Sequence, residues 1–139
     1  MGISPPADIL PDLKAMVVPY YIVFNLDDSG SMSGKPWKDL IAAVAKFEQN
    51  RIQLCNAAGA AAKDLVTIVN YNSSAKTMCK NVAITASPHS KTTFRSGGTD
   101  FAVGLDAANV ELHAMPSGYR PVLVFMSDGG CGNGDKQMS

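Results

Sequence analysis

Four runs of apolar, β-branched and aromatic residues divide the chain: Tyr20 to Leu26, Asp64 to Tyr71, Ala75 to Ile84 and Arg120 to Met126. The first and last alternate too little for a strand half in water, so each reads as a strand buried on both faces. Only the polar turn Asn72-Ser73-Ser74 separates the second run from the third, which predicts an antiparallel hairpin. Behind Pro36, a residue suited to the first turn of a helix, Trp37, Leu40, Ile41, Val44 and Phe47 recur at helical spacing. They predict a helix from about Pro36 to about Ala57, stopped at Gly59. Phe101, Leu105, Ala108 and Leu112 mark a second helix, ended by Met115-Pro-Ser-Gly118. The polar stretch from Thr85 to Gly98 is a surface connection with room for a helical turn. Residues 1–19, with prolines at 5, 6, 11 and 19, form a lead-in, and residues 20–139 form the domain.

Strands alternating with helices imply an α/β fold, mainly parallel, with one antiparallel edge strand. With strand one central, strands two and three to one side and strand four to the other, the loops after strands one and four flank the reversal of strand order. Folds of this kind form their crevice at that point.

Oxygen-bearing residues gather in those loops. Asp27, Ser29 and Ser31 follow strand one in Leu26-Asp-Asp-Ser-Gly-Ser-Met-Ser-Gly34; Thr99 lies in Ser96-Gly-Gly-Thr-Asp100, and Asp128 follows strand four in Ser127-Asp-Gly-Gly130. Three hydroxyls are neutral ligands for a small hard cation, with Mg2+ the first choice and Mn2+ or Ca2+ possible. Asp27 and Asp128 would bind directly or hold coordinated waters and balance the charge. A mostly neutral ligand set leaves the metal electrophilic enough to attract a carboxylate from another protein. Taken singly, each segment has an ordinary reading: a turn for Asp-Asp-Ser-Gly-Ser, a helix cap for Thr99, a turn for Asp128-Gly129. The combination favours the metal. Asp28 and Asp100 neighbour the set, Asp28 expected to point outward and tune the field, Asp100 to cap its helix.

With 139 residues and 46% hydrophobic content the chain supports one folded domain. Twelve basic residues balance twelve acidic ones and are scattered, so nucleic-acid or anionic-membrane binding has no electrostatic support, and no apolar run reaches membrane-spanning length. Cys55, Cys79 and Cys131 are odd in number and lack zinc-site spacing, which reads as free thiols in a reducing compartment. Met1-Gly-Ile-Ser-Pro-Pro6 shows no secretion signal; a cytoplasmic location is expected, or an extracellular one if Met1 is not the natural start.

The motif resembles that of the von Willebrand factor type A (vWA) family: Asp-x-Ser-x-Ser at Asp27, Ser29 and Ser31, a distant Thr at Thr99, and a later strand-Asp-Gly at Asp128. The resemblance spans Tyr20 to Gly130. It implies a three-layer, doubly wound, Rossmann-like fold and a complete metal-ion-dependent adhesion site. There the serines coordinate directly, the threonine directly or through water, and the aspartates mainly through waters. It further implies a non-enzymatic module that takes an acidic residue of a protein ligand on Mg2+. Family members usually continue well past the last motif Asp, whereas Ser139 follows Asp128 by 11 residues. The expectation is a domain lacking its last strands, with strand four an exposed apolar edge and residues 120–126 a self-association segment.

Two other functions compete. A Mg2+-dependent hydrolase or phosphoryl-transfer enzyme would use Asp27 or Asp28 as nucleophile, but no base or phosphate-gripping Lys stands out. A structural module would associate through the strand-four edge without metal. His89 and His113 read as surface residues, Cys131 as a tail thiol with no activating histidine, and Trp37, Met78 and Met126 as packing.

Overall fold

The computed structural model describes residues 18–127. Its elements are β1 (Tyr20–Asp27), a 3-10 turn (Gly30–Met32), α1 (Lys35–Ala57), β2 (Leu65–Tyr71), β3 (Ala75–Ala83), two 3-10 turns (Ile84–Ala86, Pro88–Lys91), α2 (Phe101–His113) and β4 (Arg120–Met126). The sheet order is β3-β2-β1-β4; β1 is parallel to β2 and β4, and β3 is antiparallel to β2. This is the expected mixed α/β sheet, with β1 central and seven of its eight residues buried.

The pleat sorts the residues of β1 to two faces. Ile22, Phe24 and Leu26 pack with Leu40 and Val44 of α1, and Phe24 meets Phe47 edge to face at 5.3 Å. Tyr21 and Val23 pack on the other face with Val69 and Ala108 of α2. Helices therefore cover both faces of the sheet. α2 comes close because residue 104 is glycine: a Cβ there would lie 2.6 Å from the Tyr71 ring. Phe101 and Leu105, expected on the buried stripe of α2, are instead 37% exposed, and Gly104 and Ala108 face the sheet.

α1 also buries charge that its hydrophobic pattern does not announce. Arg51 pairs with Asp64, its Nε 2.5 Å from Oδ2, and Asp64 Oδ1 accepts from the Tyr20 amide at 2.8 Å. Burial opposes the Arg51 charge, but the hydrogen bond to Asp64 and that residue's charge outweigh it and raise the pKa above its ordinary value. Glu48, 2% exposed, accepts from the His89 amide at 2.9 Å and has His89 Nδ1 at 2.8 Å. His89, expected at the surface, is partly buried and closes the polar gap that Glu48 would leave under α1. His113 is exposed, as expected.

Among the described residues β4 is the outermost strand on its side, pairing with β1 alone, with Leu123 37% and Phe125 40% exposed. No described helix is long and apolar enough to cross a membrane.

Candidate metal centre

β1 and β2 run in register to Asp27 opposite Tyr71, and β4 ends with Met126 opposite Leu26, so the carboxyl ends of all three strands are flush. Beyond β1 the chain turns sharply. Asp27 Oδ1 accepts from the Ser29 amide at 2.9 Å and Oδ2 from the Ser127 hydroxyl at 2.5 Å. Asp27 is 1% exposed and, among the described residues, is held by hydrogen bonds and has no ion-pair partner.

Ser29 opens the 3-10 turn, but its side chain makes no capping bond; its hydroxyl lies 3.3 Å from that of Ser31. Two ligand oxygens on adjacent corners of an octahedral Mg2+ stand about 2.9 Å apart, so the spacing fits a pair of neighbouring ligands. Thr99 is exposed. The ordinary role open to it, capping α2, belongs to Asp100, whose Oδ1 accepts from Ala102 and Val103 amides at 3.0 and 3.2 Å. The Thr99 segment is drawn to the serine loop by backbone bonds: Gly30 N donates to Gly97 O at 2.8 Å, and Ser96 N to Asp28 O at 3.0 Å. Asp128 lies outside the described residues, as does Cys131. The described residues hold no group of three or more His, Cys, Asp or Glu arranged for a metal.

Asp28 corrects the sequence reading. Far from pointing outward, it is fully buried and saturated with donors. Asn72 Nδ2 reaches Oδ1 at 2.9 Å and Asn70 Nδ2 reaches Oδ2 at 3.0 Å, while Arg95 donates Nε to Oδ2 at 2.6 Å and Nη2 to Oδ1 at 3.2 Å. Adjacent residues of an extended chain face opposite ways, so Asp27 turns to the α2 side and Asp28 to the α1 side. A carboxylate held by four donors is neither a free nucleophile nor a metal ligand. Asn70, Asn72, Arg95 and Ser127 are the residues that motif reading missed. The period-two asparagines ending a buried strand were the one available signal, since polar side chains there need partners.

The model of the von Willebrand factor type A domain matches residues 22–130. Two solved structures share the fold: three N-terminal domains of the type V pili tip protein Mfa5 from Porphyromonas gingivalis, and the pilus adhesin SpaC from Lactobacillus rhamnosus GG in an open conformation. The first superposes with a TM-score of 0.61 at 23% identity, the second with 0.60 at 21%, each over 81% of this chain. The chain spans 20% and 15% of the length of those two. No curated protein matches significantly. With a family model covering most of its length, the chain belongs to the von Willebrand factor type A family.

Proposed function

We propose that this domain is a metal-ion-dependent protein-interaction module and not an enzyme. Ser29, Ser31 and Thr99 would hold Mg2+, with Asp27 and Asp128 balancing its charge directly or through waters, and the ion would receive a carboxylate from a protein ligand. As a Lewis acid with mostly neutral ligands it would keep its attraction for an anion. The observation that carries the reading is the pairing of hydroxyls 3.3 Å apart with a buried Asp27 that has hydrogen bonds but no described counter-charge. A buried carboxylate without a counter-ion is costly, and a bound cation offsets that cost. The pilus proteins that share the fold are consistent with adhesion.

Isothermal titration with MgCl2 and MnCl2 tests the first half. Uptake by the wild-type domain and its loss in Ser29→Ala/Ser31→Ala is expected, and no uptake by folded wild type rejects the proposal. For the second half, pull-down of a candidate ligand should need Mg2+, disappear with EDTA, and fail when the ligand's acidic residue is changed to its amide.

The exposed Leu123 and Phe125 on β4 favour a second reading, self-association through residues 120–126. Light scattering of wild type and Leu123→Lys decides it: equal masses at every concentration exclude the edge as an interface.

A further inference from the structure

We infer that the Asp28–Arg95 ion pair, steadied by Asn70 and Asn72, is a positioning device that sets the spacing between the Ser29–Ser31 loop and the Ser96–Thr99 loop. The inference rests on the metal reading of those loops. Arg95 binds both Asp28 oxygens and also donates to the carbonyls of Asn70 and Ser74, at 3.2 and 3.1 Å. Its guanidinium thus spans the end of β1, the end of β2 and the hairpin turn. Asn72 extends the network to the second loop, with Nδ2 donating to Ser96 O at 3.1 Å. Asn70 does the same two residues earlier, donating to Thr93 O at 2.9 Å and accepting from the Thr92 hydroxyl at 2.7 Å.

The second loop needs this support. Ser96 has φ 75°, a left-handed conformation disfavoured for a residue with a Cβ, and Gly97 has φ 150°. A Cβ at Gly97 would lie 2.9 Å from Asn72 Cγ, so the loop is pressed directly against the asparagine that bridges it to Asp28. Buried ion pairs depend on good geometry, and the planar two-pronged fork of arginine fixes both distance and angle as lysine cannot. With Asp28 satisfied internally, Asp27 is the one described carboxylate of the Asp-Asp pair left to act on a cation.

The test compares wild type with Arg95→Met, Arg95→Lys and Val44→Ala, the last a core truncation in α1 that removes none of the hydrogen bonds of this network. Two readouts are taken: amide exchange of Gly30 and Ser96 in the metal-free domain, and Mg2+ affinity by titration. Arg95→Met should speed exchange at those two amides relative to the rest of the sheet and lower Mg2+ affinity at least about tenfold, as loss of an outer support of a metal site does. Arg95→Lys, which keeps the charge and most of the fold, should show an intermediate loss and serves if Arg95→Met does not fold. Val44→Ala should lower the melting temperature while leaving Mg2+ affinity and the relative exchange unchanged. Wild-type exchange and affinity in the arginine variants, or an equal affinity loss in Val44→Ala, overturns the inference. No Mg2+ uptake by the wild type overturns the metal reading and this inference with it; uptake with an unaltered arginine variant overturns the inference alone.

Discussion

The α1 side of the sheet and the α2 side differ in how they hold fully buried charge among the described residues. Beneath α1, every buried ionic group among the described residues has a partner of opposite charge or hydrogen-bond donors: Arg51 with Asp64, Glu48 with His89, Asp28 with Arg95 and two asparagines. Toward α2, Asp27 is buried with two hydrogen-bond donors and no described counter-ion, and Asn25 is buried with neither side-chain oxygen nor nitrogen bonded among the described residues. The apolar cover differs too, since Phe101, Leu105, Leu123 and Phe125 are over a third exposed on or beside α2. A satisfied, closed side supplies rigidity. On the metal reading proposed above, the under-satisfied side is where a bound cation would gain free energy.

The largest test of that contrast breaks the closed side. Arg51→Ala strands Asp64 in a site where it is 1% exposed, and leaving one member of a buried pair alone costs about 3–5 kcal/mol. Arg51 also donates to Val18 O at 2.7 Å and lies over the Tyr20 ring, so the start of β1 loosens with it. Urea denaturation should show the loss as a lower midpoint at unchanged slope; a shift below ~1 kcal/mol would mean the pair is no part of what holds this side together.

On the α2 side, Gly104→Ala should cost about 1–3 kcal/mol by overpacking, because the new methyl meets the Tyr71 ring and neither element can withdraw freely. Thermal unfolding measures it. If the variant is as stable as wild type, α2 is loosely seated and the contrast between the sides deepens. Asn25→Val reverses the sign. Val suits a central strand, and removing an unbonded buried amide should raise stability by roughly 1 kcal/mol. A loss instead would show that Asn25 has a partner in the folded protein and that the α2 side is better satisfied than it looks.

These cases also mark how far the sequence could be read. Strand order and helix positions were legible because they rest on short-range periodicity and on the rule that parallel strands share one loop edge. Asp28 was misread because a motif names ligands and says nothing of what braces them. Its partners Arg95 and Asn70 lie 67 and 42 positions away; the register of β1 against β2 brings Asn70 to it, and the loop before α2 brings Arg95. The contact of His89 with Glu48 was missed for a related reason: a helix pattern weighs Glu48 as polar and therefore outward, whereas a charge can face the core when a partner arrives from another segment. The exposure of Phe101 was hidden by helical spacing, which gives a stripe but not the direction in which Gly104 lets the helix rotate.

Asp100 gives the smallest expected change and separates two roles that the sequence left together. It caps α2 through Oδ1, and its own amide donates to Asn72 O at 2.8 Å, so it ties the junction of the Thr99 loop and α2 to the β2–β3 turn. Asp100→Ala should cost about 1 kcal/mol, the usual worth of a cap, and Asp100→Asn should restore nearly all of it, because asparagine caps as well as aspartate. If capping is its whole contribution, Asp100→Asn also leaves Mg2+ affinity as in wild type. A stable Asp100→Asn domain with clearly weakened Mg2+ binding would show that its negative charge acts on the cation, and would extend the under-compensated α2 side by one more carboxylate.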